Sequence, residues 1–260
     1  MIQNILRSIA LLVRSLADLI LPRTCIVCGE KLGLDEKHIC AHCSSDLPIT
    51  RFWQLKHNRM ADKFNETIQK QLEKQWDLAG TTNGPHERYA YAAALFFFND
   101  DAQYKRIPYD IKYEYNTSAG RHFGLLLGQG LASTPWFGDI DAIIPVPLHW
   151  LRWWRRGYNQ AEVIASGVSS ALGKPVRTDI LKRHKYTKTQ IRLSIKEKTS
   201  NVAGSFSVKP GSYDGIQHIL LVDDVFTTGS TLHACYMALR KIFPPSVRIS
   251  IATLGFVGRA

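Results

Sequence analysis

The sequence predicts an α/β fold: a mainly parallel sheet with helices on both faces, plus a small N-terminal metal ribbon. Three observations carry this. Short apolar runs at 140–146, 217–222 and 247–255 alternate with helical patterns at 118–131, 159–172 and 230–243. Such alternation implies parallel strands joined by crossover helices. Four cysteines stand in two Cys-x2-Cys pairs near the N-terminus. A buried strand runs into Asp-Asp and then Thr-Thr-Gly, at a strand's carboxyl end, where open α/β sheets bind ligands.

The 260 residues allow one large domain, or a modest domain with an appendage. A 45% hydrophobic and 21% charged composition excludes collagen-like, mucin-like and wholly disordered chains. No repeat of solenoid length is visible. The net charge of +11 is uneven: residues 141–260 hold 17 basic and 7 acidic residues, residues 1–140 hold 16 and 15. Leu148 to Ser200 alone holds 12 basic and 3 acidic residues, which favours an anion-facing patch over scattered solubility charge.

In chain order, residues 1–22 read as an amphipathic helix ending near Pro22, with Ile2, Ile5, Leu6, Ile9, Leu12, Val13, Leu16 and Leu19 at helical spacing. Arg7, Arg14 and Asp18 interrupt the apolar run, so it fits neither a membrane span nor a secretory leader. The chain is therefore expected to be cytoplasmic. The helix is expected to dock on its own domain, with peripheral membrane contact or a partner groove as the lesser reading.

Residues 23–48 form the ribbon. Cys25-x2-Cys28 and Cys40-x2-Cys43 lie 11 residues apart. Each pair presents two thiolates on one turn, and two turns complete a tetrahedral sulfur site suited to structural Zn²⁺. Gly29 follows the first pair, where a knuckle turn needs positive φ. Two disulfides fit poorly in a chain without a leader. His38 and His42 are alternative ligands, and an iron–sulfur cluster is a rival occupant. Cys235, in a later helix, reads as a buried small hydrophobe.

Residues 49–85 are a connecting segment with moderate helical pattern from Arg51 to Asp77 and a loop at Thr81–Pro85. Residues 86–260 form the main domain. Tyr89–Phe98 reads as a strand or strand pair. Ser118–Leu131 is a helix with Phe123, Leu126, Leu127 and Leu131 on one face. Ile140–Val146 is a buried strand, Asn159–Leu172 a helix, Gln217–Val222 a strand, Ser230–Phe243 a helix and Val247–Gly255 a strand.

The most informative segment is Ile219 to Thr231. Gly229 lets the backbone curl its N–H groups toward one point, and the following helix adds its positive end. The hydroxyls of Thr227, Thr228, Ser230 and Thr231 add donors without bulk. Together they suit a monophosphate. Asp223 and Asp224 would repel phosphate but suit a pair of sugar hydroxyls, with Mg²⁺ nearby. Diol beside phosphate describes a ribose 5-phosphate. No Lys follows Gly229, so this is not a Walker A loop. The bland alternative is a capped strand–turn–helix.

A second loop, Val146-Pro147-Leu148-His149, ends the 140–146 strand. Its prolines remove donors, leaving the N–H groups of Val146, Leu148 and His149. Arg152, Arg155 and Arg156 follow, interleaved with Trp153 and Trp154. The arginines suit a pyrophosphate. The tryptophans would stack on a base or on single-stranded nucleic acid, but packing under the sheet edge is the expected role. Arg183 to Gln190, with Lys185 and Gln190, and then Asn201 to Phe206, form a polar aperiodic stretch expected to cover the site and exclude water.

Ile219 to Thr231 resembles the phosphoribosyl-pyrophosphate (PRPP) motif of type I phosphoribosyltransferases across all 13 residues. The wider set, Cys25 to Cys43, Pro145 to Pro147, Arg156 to Gln160, Thr187 to Leu193, Asn201 to Phe206 and Ile219 to Thr231, resembles the ComF competence-protein family in order and over nearly the whole chain. Lys198-Thr199-Ser200 departs from it where an arginine is usual, and 49–85 matches nothing in it. The resemblance implies a type I phosphoribosyltransferase-like fold and a role in uptake of transforming DNA. It implies that Asp223 and Asp224 contact ribose, that residues 227–231 grip the 5′-phosphate, and that the 146–149 loop binds pyrophosphate, often with a strained or cis peptide. His149 is a candidate general base, with a structural role the stronger expectation, and Phe256 a candidate base-stacking residue. The competing class is a non-catalytic module that senses PRPP or binds single-stranded DNA or a helicase-like competence partner.

Overall fold

The computed structural model describes residues 22–81, 84, 86–99, 101–184 and 204–258. The expected helix over 1–22 lies outside them save Pro22. The strands are β1 (Ala92–Phe98), β2 (Ala142–Pro145), β3 (Leu181–Arg183), β4 (Phe206–Val208), β5 (His218–Phe226) and β6 (Arg248–Val257). β1, β6, β5 and β2 lie side by side in that order, every neighbouring pair parallel. β3 and β4 form a separate antiparallel pair. The helices are α1 (Ala41–Ser45), α2 (Arg59–Leu78), α3 (Arg106–Tyr113), α4 (Thr117–Ala132), α5 (Trp150–Arg156), α6 (Gln160–Leu172) and α7 (Ser230–Leu239).

Side chains alternate along each buried strand, so the sheet feeds two cores. Ile219 and Leu221 of β5 meet Phe64 of α2 and Tyr236 of α7 on one face. Leu220 and Val222 meet Phe123 and Leu127 of α4 and Ile164 and Val168 of α6 on the other. Both faces are thus covered, as the apolar strands require. Each fully buried Phe or Leu here contributes about 1.5–3 kcal/mol.

The connecting segment is built into this frame. Phe97 N–H donates to Pro48 O and Thr50 N–H to Leu95 O, lining the free edge of β1. Asn58 caps α2 by accepting from Met60 and Ala61 N–H, and its amide donates to Ala92 O at 2.9 Å. Met60, Ala61, Phe64 and Ile68 then face the core. Of the 89–98 run only residues 92–98 pair, as the single strand β1 and not a strand pair.

α4 and α6 touch backbone to backbone. A Cβ on Gly124 would lie 2.3 Å from Ile164 O, and one on Gly167 2.3 Å from Arg121 O. Neither backbone can retreat without moving a helix. Gly124→Ala is expected to cost about 3 kcal/mol through overpacking. A thermal melt reads it, and an unchanged midpoint would refute close contact.

At the end of the sheet remote from the Asp-Asp loop, His218 Nδ1 pairs with Asp139 Oδ1 at 2.6 Å and Nε2 with Ser250 Oγ at 2.7 Å. The arrangement has the residue types of a hydrolytic triad, yet His218 and Ser250 are 1% and 0% exposed. It ties β5 to β6. Burial lowers the His218 pKa, and Asp139 only partly opposes this. The fold therefore favours neutral imidazole, and this stability is lost as pH falls below about 6.5. His218→Gln is expected to lose less stability than wild type between pH 7 and pH 5 in denaturant titrations. Equal losses would remove His218 from the acid response.

Candidate functional site

Parallel pairing aligns Pro145 of β2 with Val222 of β5, so the loops following both strands leave the same sheet edge. This is the juxtaposition the sequence predicted. At that edge Asp224 is 6% exposed and its Oδ2 lies 2.8 Å from Lys112 Nζ of α3. Asp224 N–H donates to Asp223 Oδ1 at 2.9 Å, and Val225 N–H to Asp224 Oδ1 at 2.7 Å. Burial and the neighbouring Asp224 push the Asp223 pKa up to about 7, against the Asp224 N–H, Lys112 and Arg183. Burial alone would lower the Lys112 pKa, but Asp224 and Asp223 outweigh it and hold the ammonium above its usual value.

The loop beyond Phe226 turns at Gly229, whose φ of 78° sits in the left-handed region at the N-cap of α7. A Cβ there would lie 2.6 Å from the Phe226 ring. Both facts require glycine. Thr228 Oγ1 and Ser230 Oγ are 2.7 Å apart, so these hydroxyls already share a hydrogen bond. Thr227 is exposed, and its carbonyl accepts from Lys63 Nζ of α2 at 3.2 Å. Lys63 and Lys112 are two cations that the sequence reading missed. Lys63 lies in the segment that matched no motif. α3 was hidden by Pro108, although Ile107 and Ile111 already stood four apart and proline is tolerated in a first turn.

The second loop departs from expectation in two ways. Val146 N–H donates to Val222 O at 2.8 Å, so it extends the ladder and is not available to an anion. No cis peptide occurs among the described residues, and residues 146–149 have no positive φ. His149 is 4% exposed and its Nδ1 accepts from Leu151 N–H at 3.2 Å, capping α5. That is the structural role expected over the general base. Asn159 links loop to helix: its amide donates to Val146 O at 3.0 Å while Oδ1 accepts from Ala161 N–H at 3.1 Å.

The basic run forms α5. Arg156 donates to Gln160 Oε1 at 3.0 Å and its guanidinium lies 4.9 Å from the Tyr113 ring centre. Arg155 O accepts from Tyr115 Oη at 3.3 Å. Burial and then Arg152 lower the Arg183 pKa, while Asp223 raises it, which places Arg152, Arg183 and Asp223 in one electrostatic neighbourhood. The packing expected of the tryptophans is not found: Trp150, Trp153 and Trp154 are 66%, 53% and 77% exposed. A seven-residue helix has too little surface to bury three indoles together with its arginines. Phe256 is instead buried, its ring 5.8 Å from that of Phe226 in the core. Cys235 is fully buried, as expected. Lys185, Gln190 and the 187–193 motif lie outside the described residues.

The Sγ atoms of Cys25, Cys28, Cys40 and Cys43 all lie within 4.8 Å of one another, and Cys28 and Cys40 are 3.8 Å apart. A tetrahedron with Zn–S bonds of about 2.3 Å has edges of about 3.8 Å. The thiols form no disulfide. Burial would raise the Cys25 pKa, but N–H groups of Cys28, Cys40 and Val27 bring it down to about 7, while burial and the neighbouring thiols push Cys43 up. The alternative histidine ligands are engaged elsewhere: His38 Nε2 contacts Ser118 Oγ at 3.1 Å, and His42 faces Asp46 at 3.5 Å. The donor set fits a structural zinc.

Residues 159–255 match the phosphoribosyl transferase domain, and residues 16–53 match the double zinc ribbon domain. The fold and the cysteine cluster thus define a phosphoribosyltransferase-fold protein with an N-terminal zinc ribbon. Among curated proteins the chain is 42% identical over 110 residues to "Competence protein F" of Haemophilus influenzae, covering 42% of this chain and 48% of that protein. It is 36% identical over 92 residues to "DNA utilization protein YhgH" of Salmonella typhi, covering 35% and 40%. It is 35% identical over 92 residues to "Competence protein ComFC" of Bacillus subtilis, covering 35% of each. The chain is thus similar to these competence and DNA utilization proteins over 35–42% of its own length. It spans about half the length, or less, of the curated relatives it matches. No helix among the described residues is long and apolar enough to cross a membrane.

Proposed function

We propose that the Asp-Asp edge binds PRPP with Mg²⁺ and that the protein acts in the handling of DNA taken up by the cell or in nucleotide metabolism. The observation that carries this is the shared edge of two loops: paired carboxylates and a hydroxyl-lined turn on one, backbone donors and arginines on the other. Asp223 and Asp224 accept from the ribose hydroxyls. Residues 227–231 hold the 5′-phosphate at the α7 N-terminus. Leu148 and His149 N–H groups, with Arg152, Arg155, Arg156 and Arg183, face the pyrophosphate, and Lys185 and Gln190 belong to the cover. Mg²⁺, when bound by pyrophosphate and the carboxylates, supplies charge neutralisation of the leaving group.

If the chain turns PRPP over, the reaction displaces pyrophosphate from the anomeric carbon through an oxocarbenium-like transition state. Positioning and electrostatic stabilisation then do most of the chemistry. The relatives' names, competence protein and DNA utilization protein, support the DNA-linked role. Titration calorimetry with PRPP and Mg²⁺, followed by pyrophosphate-release assays with free bases, tests it. Absence of PRPP binding rejects the reading.

The exposed Trp153 and Trp154 favour a second reading, a stacking surface for single-stranded DNA beside the arginines of α5. In that reading the protein is an accessory module, with a helicase-like competence protein as its partner. Trp153→Ala with Trp154→Ala is expected to weaken oligo-dT binding about tenfold or more, since each lost stack is worth about 1–3 kcal/mol. Binding that ignores both salt and these substitutions sinks it.

A further inference from the structure

Beside the Asp-Asp edge lies a cavity of 480 Å³, within the size range of small-molecule sites. Its apolar wall is Phe98, Val225, Pro108 and the neighbouring Tyr109 and Tyr113, whose ring centres are 4.9 Å apart with the rings tilted by 47°. These tyrosines are 55% and 52% exposed, so the rings are not consumed by the core. Its charged lining is wholly cationic: Lys105, Arg106 and Lys112, with no acidic side chain among the described lining residues. Thr227 and Lys112 are shared with the donor edge, so a ring in this cavity lies next to the sugar site.

Resting on the reading of the edge as a PRPP site, we infer that this cavity is the acceptor subsite and takes a planar heteroaromatic ring carrying negative charge. Aromatic walls favour a flat ring, and Lys105 and Arg106, beyond the Lys112 already paired with Asp224, favour an anion. An acceptor whose attacking ring nitrogen carries a free lone pair, as in a pyridine carboxylate, needs no general base, whereas one protonated there must release that proton to solvent before attack. The nitrogen lone pair then forms the bond to the anomeric carbon, the carbon–oxygen bond breaks, and pyrophosphate departs with that electron pair.

The test is calorimetry on the full chain with two pairs of probes differing in charge, orotate against uracil and nicotinate against nicotinamide, with PRPP–Mg²⁺ titrated in parallel. Both anionic rings are expected to bind at least ~10-fold more tightly than their neutral partners. Lys105→Gln should erase most of that preference, and Tyr109→Ala should weaken both anions about tenfold while PRPP affinity stays unchanged. PRPP binding without charge-selective ring binding overturns the acceptor subsite and leaves the donor site standing. Charge-selective ring binding without PRPP binding supports the cavity and rejects the donor reading. Failure of both overturns both.

Discussion

Asp223→Asn is expected to weaken PRPP–Mg²⁺ binding about 10- to 150-fold, and the double change with Asp224→Asn to abolish it. Each carboxylate accepts from a sugar hydroxyl in the proposed complex, and a hydrogen bond to a charged group is worth about 1.5–3 kcal/mol. The single variant is the cleaner experiment. Asp224 holds Lys112 at 2.8 Å, and its loss strands a largely buried ammonium, which costs stability by itself. Asp223 has no such dependent, and Asn imitates its protonated form. Because its pKa is raised to about 7, wild type should bind PRPP more tightly as pH rises through 7, and the Asn variant should lack this dependence. The stability effect has the opposite direction. The folded state holds a proton that the unfolded carboxyl releases near 3.9, so wild type loses stability relative to Asp223→Asn as pH rises from about 4 to 7. Retained affinity in the double variant would defeat the ribose assignment.

Removal of the metal is expected to have the other large effect. Cys25→Ser should reduce bound zinc from one per chain to near none, because the Cys25 thiolate is stabilised by three backbone N–H groups. Structural zinc contributes about 10–16 kcal/mol to folding a small ribbon, so the segment should unfold locally. The damage should travel. Arg106 Nη1 donates to Val27 O at 3.4 Å, and His38 meets Ser118 at the start of α4. Amide exchange should therefore quicken in the ribbon, α3 and the first turn of α4, while β5 and β6 stay protected. Metal analysis of the purified variant decides the first part, and an unchanged zinc content would remove Cys25 from the site.

The parallel sheet was legible because its strands are short apolar runs set between strongly periodic helices. The Asp-Asp loop and the cysteine pairs were legible because each packs its chemistry into contiguous residues. What escaped was assembled from a distance. Lys63 and Lys112 reach the loop across 164 and 112 residues of chain order respectively, in the sense that one meets residue 227 and the other residue 224. No local pattern marks such a lysine. α5 carried no helix expectation because seven residues are too few for a periodic signal. The opposite error concerned its tryptophans, since apolar bulk normally argues for burial. Val146 was counted among the donors because a sequence does not reveal where a ladder stops.

The Lys112–Asp224 pair gives the pocket its own resident counter-ion. An arriving sugar must offer hydroxyls good enough to compete for that carboxylate. In the proposed complex, inorganic phosphate, having none, would reach the Thr-rich turn yet leave the lysine where it is, so the pair would set an activated pentose apart from the abundant anions of the cell before any chemistry begins.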